Sequence, residues 1–205
     1  MKTRFLATAL CVLGGALVTT PGCSAKTNAA TGVGDPCTPG VEADGTFLGF
    51  NENEVNFEAG SPTCATSICL VNHFRGRVSC PYGQSADGSG PVGGQACATT
   101  KGAPVTGGPS SALKKAQVAP QCVDRAADKA VYCSCRCANA NGRTDDAGVY
   151  CACPSGFECT SVITSIGPST NDVAGSYCVK SGTAYDRNTA CNQGDCDPVA
   201  RKCGS

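Results

Sequence analysis

Cysteine content is the feature that most constrains how this chain can fold. Eighteen of its 205 residues are cysteine. Two of them, Cys11 and Cys23, lie within or directly after an apolar N-terminal leader, and the remaining sixteen allow eight disulfide bonds. So many cysteines are typical of proteins that fold in an oxidising compartment. The disulfide candidates are Cys37, Cys64, Cys69, Cys80, Cys97, Cys122, Cys133, Cys135, Cys137, Cys151, Cys153, Cys159, Cys178, Cys191, Cys196 and Cys203.

The apolar content of the chain is too low for an ordinary hydrophobic core. After Cys23, Leu and Ile each occur only three times and Trp is absent, which is little apolar volume for a chain of this length. Each disulfide stabilises by about 2–4 kcal/mol because it restricts the unfolded chain, so bridges can replace the missing core. Lys and Arg balance Asp and Glu, which predicts no nucleic-acid partner.

The segment 1–22 is typical of a signal peptide. Lys2 and Arg4 provide a basic start, and the apolar run Phe5–Val18 follows. A membrane-spanning helix needs about 20 apolar residues, so this run is too short to span a bilayer. The chain is therefore predicted to leave the cytoplasm; an ordinary buried N-terminal helix is the alternative.

A candidate attachment site follows the leader. The segment TPGC at residues 20–23 resembles the cleavage box of bacterial lipoproteins, in which a small residue precedes the cysteine that receives lipid. The resemblance implies acyl chains, palmitate among them, on Cys23. Ser24 replaces the Asp that retains such proteins at the inner membrane, so the resemblance implies the outer membrane, with the domain periplasmic or surface-exposed. The alternative is plain secretion, with Cys23 paired or free.

Composition divides the rest of the chain into four segments. Residues 23–36 are small and polar and predict a flexible tether that begins at the lipidated cysteine. Residues 37–82 are interpreted as an N-terminal cysteine-rich subdomain and residues 110–205 as a C-terminal cysteine-rich β subdomain. Between them, residues 83–109 are rich in Gly, Pro and Ser and contain only Cys97, which indicates a long loop pinned by one bridge or a linker.

Short apolar and turn-rich runs predict a small, disulfide-rich, mainly β fold with short hairpins, many loops and one or two short helices. The runs Phe157–Ile166 and Ala174–Lys180 flank a turn-forming segment and predict a β-hairpin. Further short strands are expected at residues 46–50, 54–57 and 77–80, and short helices at 110–118 and 123–130.

A repeated Val-Tyr-Cys-x-Cys motif predicts another hairpin. Its copies, Val131–Cys135 and Val149–Cys153, surround a segment rich in turn formers. Residues i and i+2 share a strand face, so Cys133, Cys135 and Cys137 would point to one side. Neighbouring Cα atoms of this set would lie about 6.6–7 Å apart, too far for a bond within the strand, so each sulfur is expected to reach another segment.

Two resemblances concern the chain after the leader. The sequence CACPSGFEC at Cys151–Cys159 resembles the end of an EGF-like module, where Cys-x-Cys is followed by Gly and an aromatic residue. As a whole, the chain is similar to the cysteine-rich, Gly-, Thr- and Ser-rich outer-membrane lipoproteins of delta-proteobacteria such as the myxobacteria. The second resemblance implies a surface location and a role in adhesion, motility or envelope assembly.

Reactive side chains give little support for catalysis or metal binding. The cysteines between residues 133 and 153 offer thiolates for zinc, but Cys-x-Cys spacing and an oxidising compartment favour disulfides. Asp145 and Asp146 lack the regular oxygen-ligand spacing of a calcium loop. The single histidine, His73, has no nucleophile motif beside it, and no Cys-x-x-Cys pair is present for thiol exchange. We therefore predict no enzyme activity, no cofactor and no metal.

Aromatic and basic residues provide the candidate binding positions. The segment NHFRGR at residues 72–77 predicts a small cationic and aromatic patch for a sugar or an anionic polymer. Two tyrosines would lie close together in the hairpin of the repeated motif, where they suit contacts with glycans or proteins. Ordinary packing over disulfides is the alternative for each. The candidate binding residues are His73, Phe74, Arg75, Arg77, Tyr132 and Tyr150.

These observations together predict a lipid-anchored, disulfide-stapled structural or interaction protein of the cell surface, a scaffold for adhesion, motility or envelope assembly. Its expected partners are the membrane, through the lipid, and envelope proteins or surface glycans. The alternative is a surface binding protein for a glycan, a small ligand or a metal ion.

Overall fold

The computed structural model describes residues 31–107, 116–163, 173–188, 196–197 and 202–203. In these residues the protein is mainly β, with two small antiparallel sheets, a two-stranded pair and very little helix. The predicted fold class, a small disulfide-rich β protein, is confirmed. The predicted signal peptide and Cys23 lie outside the described residues. No helix in the described ranges has the length and apolar character that crossing a bilayer requires.

The first sheet has the order β1–β2–β3. Strands β1 (Val55–Ala59) and β2 (Ile68–Asn72) form an antiparallel hairpin, and β3 (Val131–Cys133) pairs with the other side of β2. This sheet therefore joins strands from the segments 37–82 and 110–205, which the composition had assigned to two subdomains.

The second sheet has the order β4–β6–β5. It contains β4 (Arg136–Asn139), β5 (Phe157–Ile163) and β6 (Gly175–Lys180), all antiparallel. Strands β5 and β6 are the hairpin that the sequence predicts, and this prediction is confirmed over the described residues. A separate pair, β7 (Cys196–Asp197) with β8 (Lys202–Cys203), lies near the C-terminus.

The hairpin predicted from the repeated Val-Tyr-Cys-x-Cys motif is wrong. The chain leaves the first sheet after Cys133 and enters the second at Arg136, and β4 pairs with β6 instead of residues 149–153. Ser134 explains the crossing: its N–H donates to Ile68 O at 3.0 Å and its hydroxyl donates to Cys178 O at 2.8 Å. A fully buried serine thus connects both sheets.

Several shorter predictions are also corrected. Residues 46–50 and 77–80 contribute only the isolated bridges Phe50↔Gly76 and Arg77↔Cys80. Of the predicted helix 110–118, residues 110–115 lie outside the described residues, and residues 116–118 are not helical. Within the predicted helix 123–130, a 3-10 helix (Val123–Arg125) is followed by the single-turn α1 (Ala127–Ala130).

A small apolar cluster lies between the two sheets. Leu70 and Tyr132 of the first sheet pack with Tyr177 and Val179 of the second, and all four are buried. The Tyr132 ring meets Phe157 edge-on, with 5.7 Å between the ring centroids. The Tyr132 hydroxyl accepts a hydrogen bond from the Lys180 N–H at 2.9 Å. The apolar contact between the sheets is therefore small, as the low apolar content requires, and further buried clusters lie elsewhere in the described residues.

Disulfide-bonded cysteines belong to the other buried clusters, and the prediction of multiple disulfide bonds is confirmed. The prediction that Cys133, Cys135 and Cys137 each reach another segment is also confirmed, because each bonds a different stretch of chain. Cys191 lies outside the described residues, and of Cys203 only the backbone is described. The bridges are Cys37–Cys69, Cys64–Cys133, Cys80–Cys97, Cys122–Cys196, Cys135–Cys151, Cys137–Cys159 and Cys153–Cys178.

The glycine-rich stretch after Cys80 is held by one bridge and one glutamine. Cys80–Cys97 closes its first half. The buried Gln84 side chain donates to Val105 O and Ala116 O and accepts from the Cys97 N–H at 2.7 Å. The described part of this stretch is thus a loop packed against its own cluster.

Bridges that close long loops are expected to contribute most to stability. Replacing Cys64 and Cys133 together with Ala opens a bridge of sequence separation 69. The free energy of unfolding should fall by about 4 kcal/mol, against about 3 kcal/mol for the matched Cys80/Cys97 double variant. The control bridge has a sequence separation of 17. Urea unfolding without reductant measures both values, and a Cys64/Cys133 variant as stable as the parent would contradict the expectation.

Candidate functional site

The predicted cationic and aromatic patch does not exist at the surface. Phe74 and Arg77 are fully buried and Arg75 is 5% exposed, so the prediction of a binding patch here is wrong. Phe74 packs edge-on against Phe50, with ring centroids 6.3 Å apart. Arg77 lies inside because it donates to loop carbonyls, which have no strand or helix partners and need buried donors.

His73, the remaining candidate of the segment 72–77, lies in a half-buried cluster of side chains that hold each other in place. Its Nδ1 is 2.8 Å from Glu52 O, and its ring stacks on Tyr185 with centroids 4.2 Å apart. The guanidinium of Arg125 lies 5.8 Å from the Tyr185 ring and donates to His73 O at 3.0 Å. Desolvation lowers the pKa of His73 below its usual value. The cluster fastens the segment around Tyr185 to the end of β2.

The two candidate tyrosines have different surroundings. Tyr132 is 1% exposed within the core, so it offers no surface for a ligand, and the expected pairing with Tyr150 depended on a hairpin that does not form. Tyr150 is partly exposed, and the Arg136 guanidinium lies 5.3 Å from its ring centroid. Its hydroxyl donates to Asp146 Oδ1 at 2.6 Å.

A polar hollow of about 510 Å³ lies beside Tyr150. Asp146 is its best-connected residue, because it also accepts hydrogen bonds from the Asn139 side chain at 2.8 Å and the Gly148 N–H at 3.0 Å. These donors, led by Asn139, lower the pKa of Asp146 to about 2. The hollow combines an aromatic ring, a cation and amide groups, a set that suits hydroxyl-bearing ligands.

Sulfur atoms come together in groups of three, as many ligands as a metal site can use. In each group the sulfurs lie within 4.8 Å of one another. Every one of these cysteines is in a disulfide, so thiolates for a metal would require reduction. The described residues that converge are Cys37 with Cys64 and Cys133, Cys135 with Cys151 and Cys178, and Cys137 with Cys153 and Cys178.

A second concavity, which we call the β1 groove, lies along the first sheet and measures about 500 Å³. Its floor is apolar, one wall is β1, and the opposite wall is the loop before β1. No sequence pattern predicted it, although the alternation Glu54-Val55-Asn56-Phe57-Glu58 does indicate a strand with one polar face. Its lining residues are Pro39, Gly40, Val41, Phe47, Phe50, Glu54, Asn56, Phe57, Glu58 and Val71.

A buried ion pair positions the loop wall of the groove. Glu42, in the 3-10 helix Gly40–Ala43, accepts hydrogen bonds from the Val78 N–H at 2.6 Å and the Ser79 N–H at 2.8 Å. Arg77 Nε lies 3.9 Å from the Glu42 carboxylate, and both side chains are fully buried. The Arg77 guanidinium also donates to the carbonyl oxygens of Glu42, Asp44 and Phe47. One arginine therefore fixes the loop that carries Val41 and Phe47.

The groove rim is acidic. Glu58 Oε2 accepts from the Gly40 N–H at 2.7 Å, and Glu54 Oε1 accepts from the Asn51 N–H at 3.2 Å. The lining contains no Lys, Arg or His. Asn56 Nδ2 lies between these carboxylates in sequence, is buried, and has no hydrogen-bond partner in the described residues. The groove thus combines negative charge, an apolar floor and a buried donor without an acceptor.

Comparison with known proteins adds no relative. No protein-family model matches the chain, and no curated protein or solved structure is significantly similar to it. A function for the chain must therefore be inferred from its own residues and their geometry.

The loop wall of the β1 groove should depend on Arg77. Replacing Arg77 with Met leaves the buried Glu42 carboxylate without its counter-charge, and the free energy of unfolding should fall by about 3–5 kcal/mol. Arg143→Met is the matched control, because the Arg143–Asp145 pair is exposed on both sides and should contribute little. Urea unfolding of both variants is the measurement, and equal stabilities would show that the buried pair does not hold the loop.

Proposed function

We propose that this protein is a lipid-anchored interaction module of a bacterial cell surface, held together by disulfides and without enzymatic activity. The observation that supports it best is the β1 groove, an open concavity beside a sheet edge on a domain cross-linked by seven described disulfides. A cross-linked domain keeps a binding surface in shape in an oxidising compartment outside the cytoplasm.

The leader and Cys23 support the location. A basic start, a short apolar run and a Gly-Cys junction are the features by which bacterial lipoproteins are exported and acylated. One acyl chain gives only marginal binding, whereas additional chains give stable anchoring. The small, polar residues that follow Cys23 then act as a tether. The proposed site is the outer membrane, where adhesion, motility or envelope assembly would use such a module.

Removal of the lipidated thiol should release the protein. Cys23→Ala is expected to move the protein from the membrane fraction to the soluble fraction of its own cells, because no acyl chain can attach. Ser24→Ala is the matched control and should stay with the membrane. Fractionation followed by intact-mass measurement under non-reducing conditions tests the proposal. Membrane retention of Cys23→Ala, or a parent protein without a diacylglyceryl mass, would disprove the anchor.

A second candidate function is glycan binding, and the hollow beside Tyr150 is the observation that favours it. A partly exposed aromatic ring next to Arg136, Asn139 and Asp146 offers stacking and several hydrogen-bonding groups in one concavity. Both functions suit a surface protein, but they use different residues.

Glycan binding is testable at one residue. If the second function holds, the parent protein should bind at least one sugar on an array of bacterial surface glycans, and Tyr150→Ala should weaken that binding roughly tenfold by removing the stacking ring. Tyr82→Ala, outside the hollow, is the control. An array without any bound sugar, or equal binding by Tyr150→Ala, would exclude this hollow as a glycan site.

A further inference from the structure

The outer edge of β1 is a row of backbone groups without hydrogen-bond partners in the described residues. In the pairing of β1 with β2, the His73 N–H donates to Glu54 O at 3.1 Å and the Gly60 N–H donates to Ser67 O at 2.7 Å. In an antiparallel pair, every second residue directs its N–H and C=O groups toward the neighbouring strand. Within β1, the residues that direct these groups toward β2 are therefore Asn56 and Glu58. The N–H and C=O groups of the intervening residues therefore point away from the sheet, and these residues are Val55, Phe57 and Ala59.

No segment of the described residues pairs with this edge. β1 is the terminal strand of its sheet, whereas the opposite edge, β3, is paired further by the bridge Pro36↔Tyr132. No backbone or side-chain hydrogen bond within the described part of the chain engages the outward groups of β1. An open strand edge is a template for another strand, and natural proteins usually block it with a charge, a bulge or a covering loop.

The negative charge of two carboxylates beside the edge of β1 favours a partner strand with basic side chains. Glu54 and Glu58 project to the same face of β1, and the extended chain between them places them about 13 Å apart. Each carboxylate uses one oxygen on a backbone N–H and keeps the other without a partner in the described residues. Opposite charges directly across a strand pair attract, so basic residues four apart on a partner strand would meet both carboxylates.

The apolar floor of the β1 groove also suits a partner strand with basic side chains. Phe47 and Phe50 form an apolar surface next to the carboxylates. The methylene stems of Lys or Arg pack on such a surface while the charged ends reach the rim. Asn56 Nδ2, midway between the two glutamates in sequence, is the buried donor without an acceptor. A ligand that supplies an acceptor there would remove the cost of an unsatisfied buried donor.

We propose that the β1 groove binds an extended peptide segment of a partner protein, with two basic residues four positions apart, by adding it as a strand to the free edge of β1. Main-chain hydrogen bonds to Val55, Phe57 and Ala59 provide the affinity, and Glu54 and Glu58 provide the selectivity. This inference deepens the interaction role proposed above and rests on it. A small organic cation would use the carboxylates alone and would leave the strand edge empty.

Selection from random peptides tests the proposal on the full chain, extracted in detergent. The probe is a phage-displayed library of cysteine-free decapeptides. The expected result is enrichment of Lys or Arg at two positions four apart, with Pro depleted between them. The double variant E54Q/E58Q should bind the best selected peptide roughly tenfold more weakly, because two charge pairs are lost. The charge-matched control D145N/E158Q, on exposed carboxylates elsewhere, should bind it like the parent.

Backbone methylation separates strand addition from simple charge attraction. Two versions of the selected peptide carry N-methyl groups on alternate residues, one set on the odd positions and one on the even positions. Strand addition requires one version to lose binding and the other to keep it, because only alternate N–H groups face β1. Equal binding by both versions, enrichment of peptides without basic pairs, or no enrichment at all would overturn the proposal.

Failure of this test is distinguishable from failure of the proposed function. The Cys23→Ala fractionation and the intact mass do not involve the β1 groove. If the protein is lipid-anchored but selects no peptide, the groove is not the interaction surface and the surface role stands. If peptides bind but Cys23→Ala stays membrane-bound, the groove assignment stands and the anchor is wrong.

Discussion

The structure depends on the covalent and hydrogen-bonded connection between its two halves. Strand β3 pairs with β2 although the whole glycine-rich loop lies between them in the chain, and Cys64–Cys133 bonds the same two regions. Directly after this bridge, Ser134 contacts both sheets, and the chain continues into β4. Closing so long a loop costs chain entropy, and the bridge stabilises the first sheet because it removes part of that entropy from the unfolded chain.

Buried polar side chains stabilise the loops of this protein by donating hydrogen bonds to loop carbonyl groups. Loops in this protein leave many carbonyl groups without strand or helix partners, and such groups must be satisfied when buried. Arg77 donates to three carbonyls of the loop before β1, and Arg125 donates to the carbonyls of Asn72, His73 and Thr183. Gln84 does the same for the glycine-rich loop. Long polar side chains thus take the place that regular secondary structure has in larger domains.

This construction explains why an open groove can persist on so small a core. The loop wall of the β1 groove is held by the Arg77–Glu42 pair, and its strand wall belongs to the cross-linked first sheet. Neither wall depends on a large apolar interior. The edge of β1 is open, since no described segment pairs with it. A module that is firm in its core and open at one strand edge is suited to recognising an extended chain.

The sequence by itself determined the class of fold, because a high cysteine count with few large apolar residues leaves disulfides as the main source of stability. It also determined the β5–β6 hairpin, since the two strands are close together in the chain. Tertiary structure alone decided the rest. Period-two spacing assigns cysteines to a strand face but does not say which strand is the neighbour, so β3 and β4 separate into two sheets. The burial of Arg77, and the β1 groove whose loop wall it holds, depend on carbonyls brought together from distant positions, which no local pattern encodes.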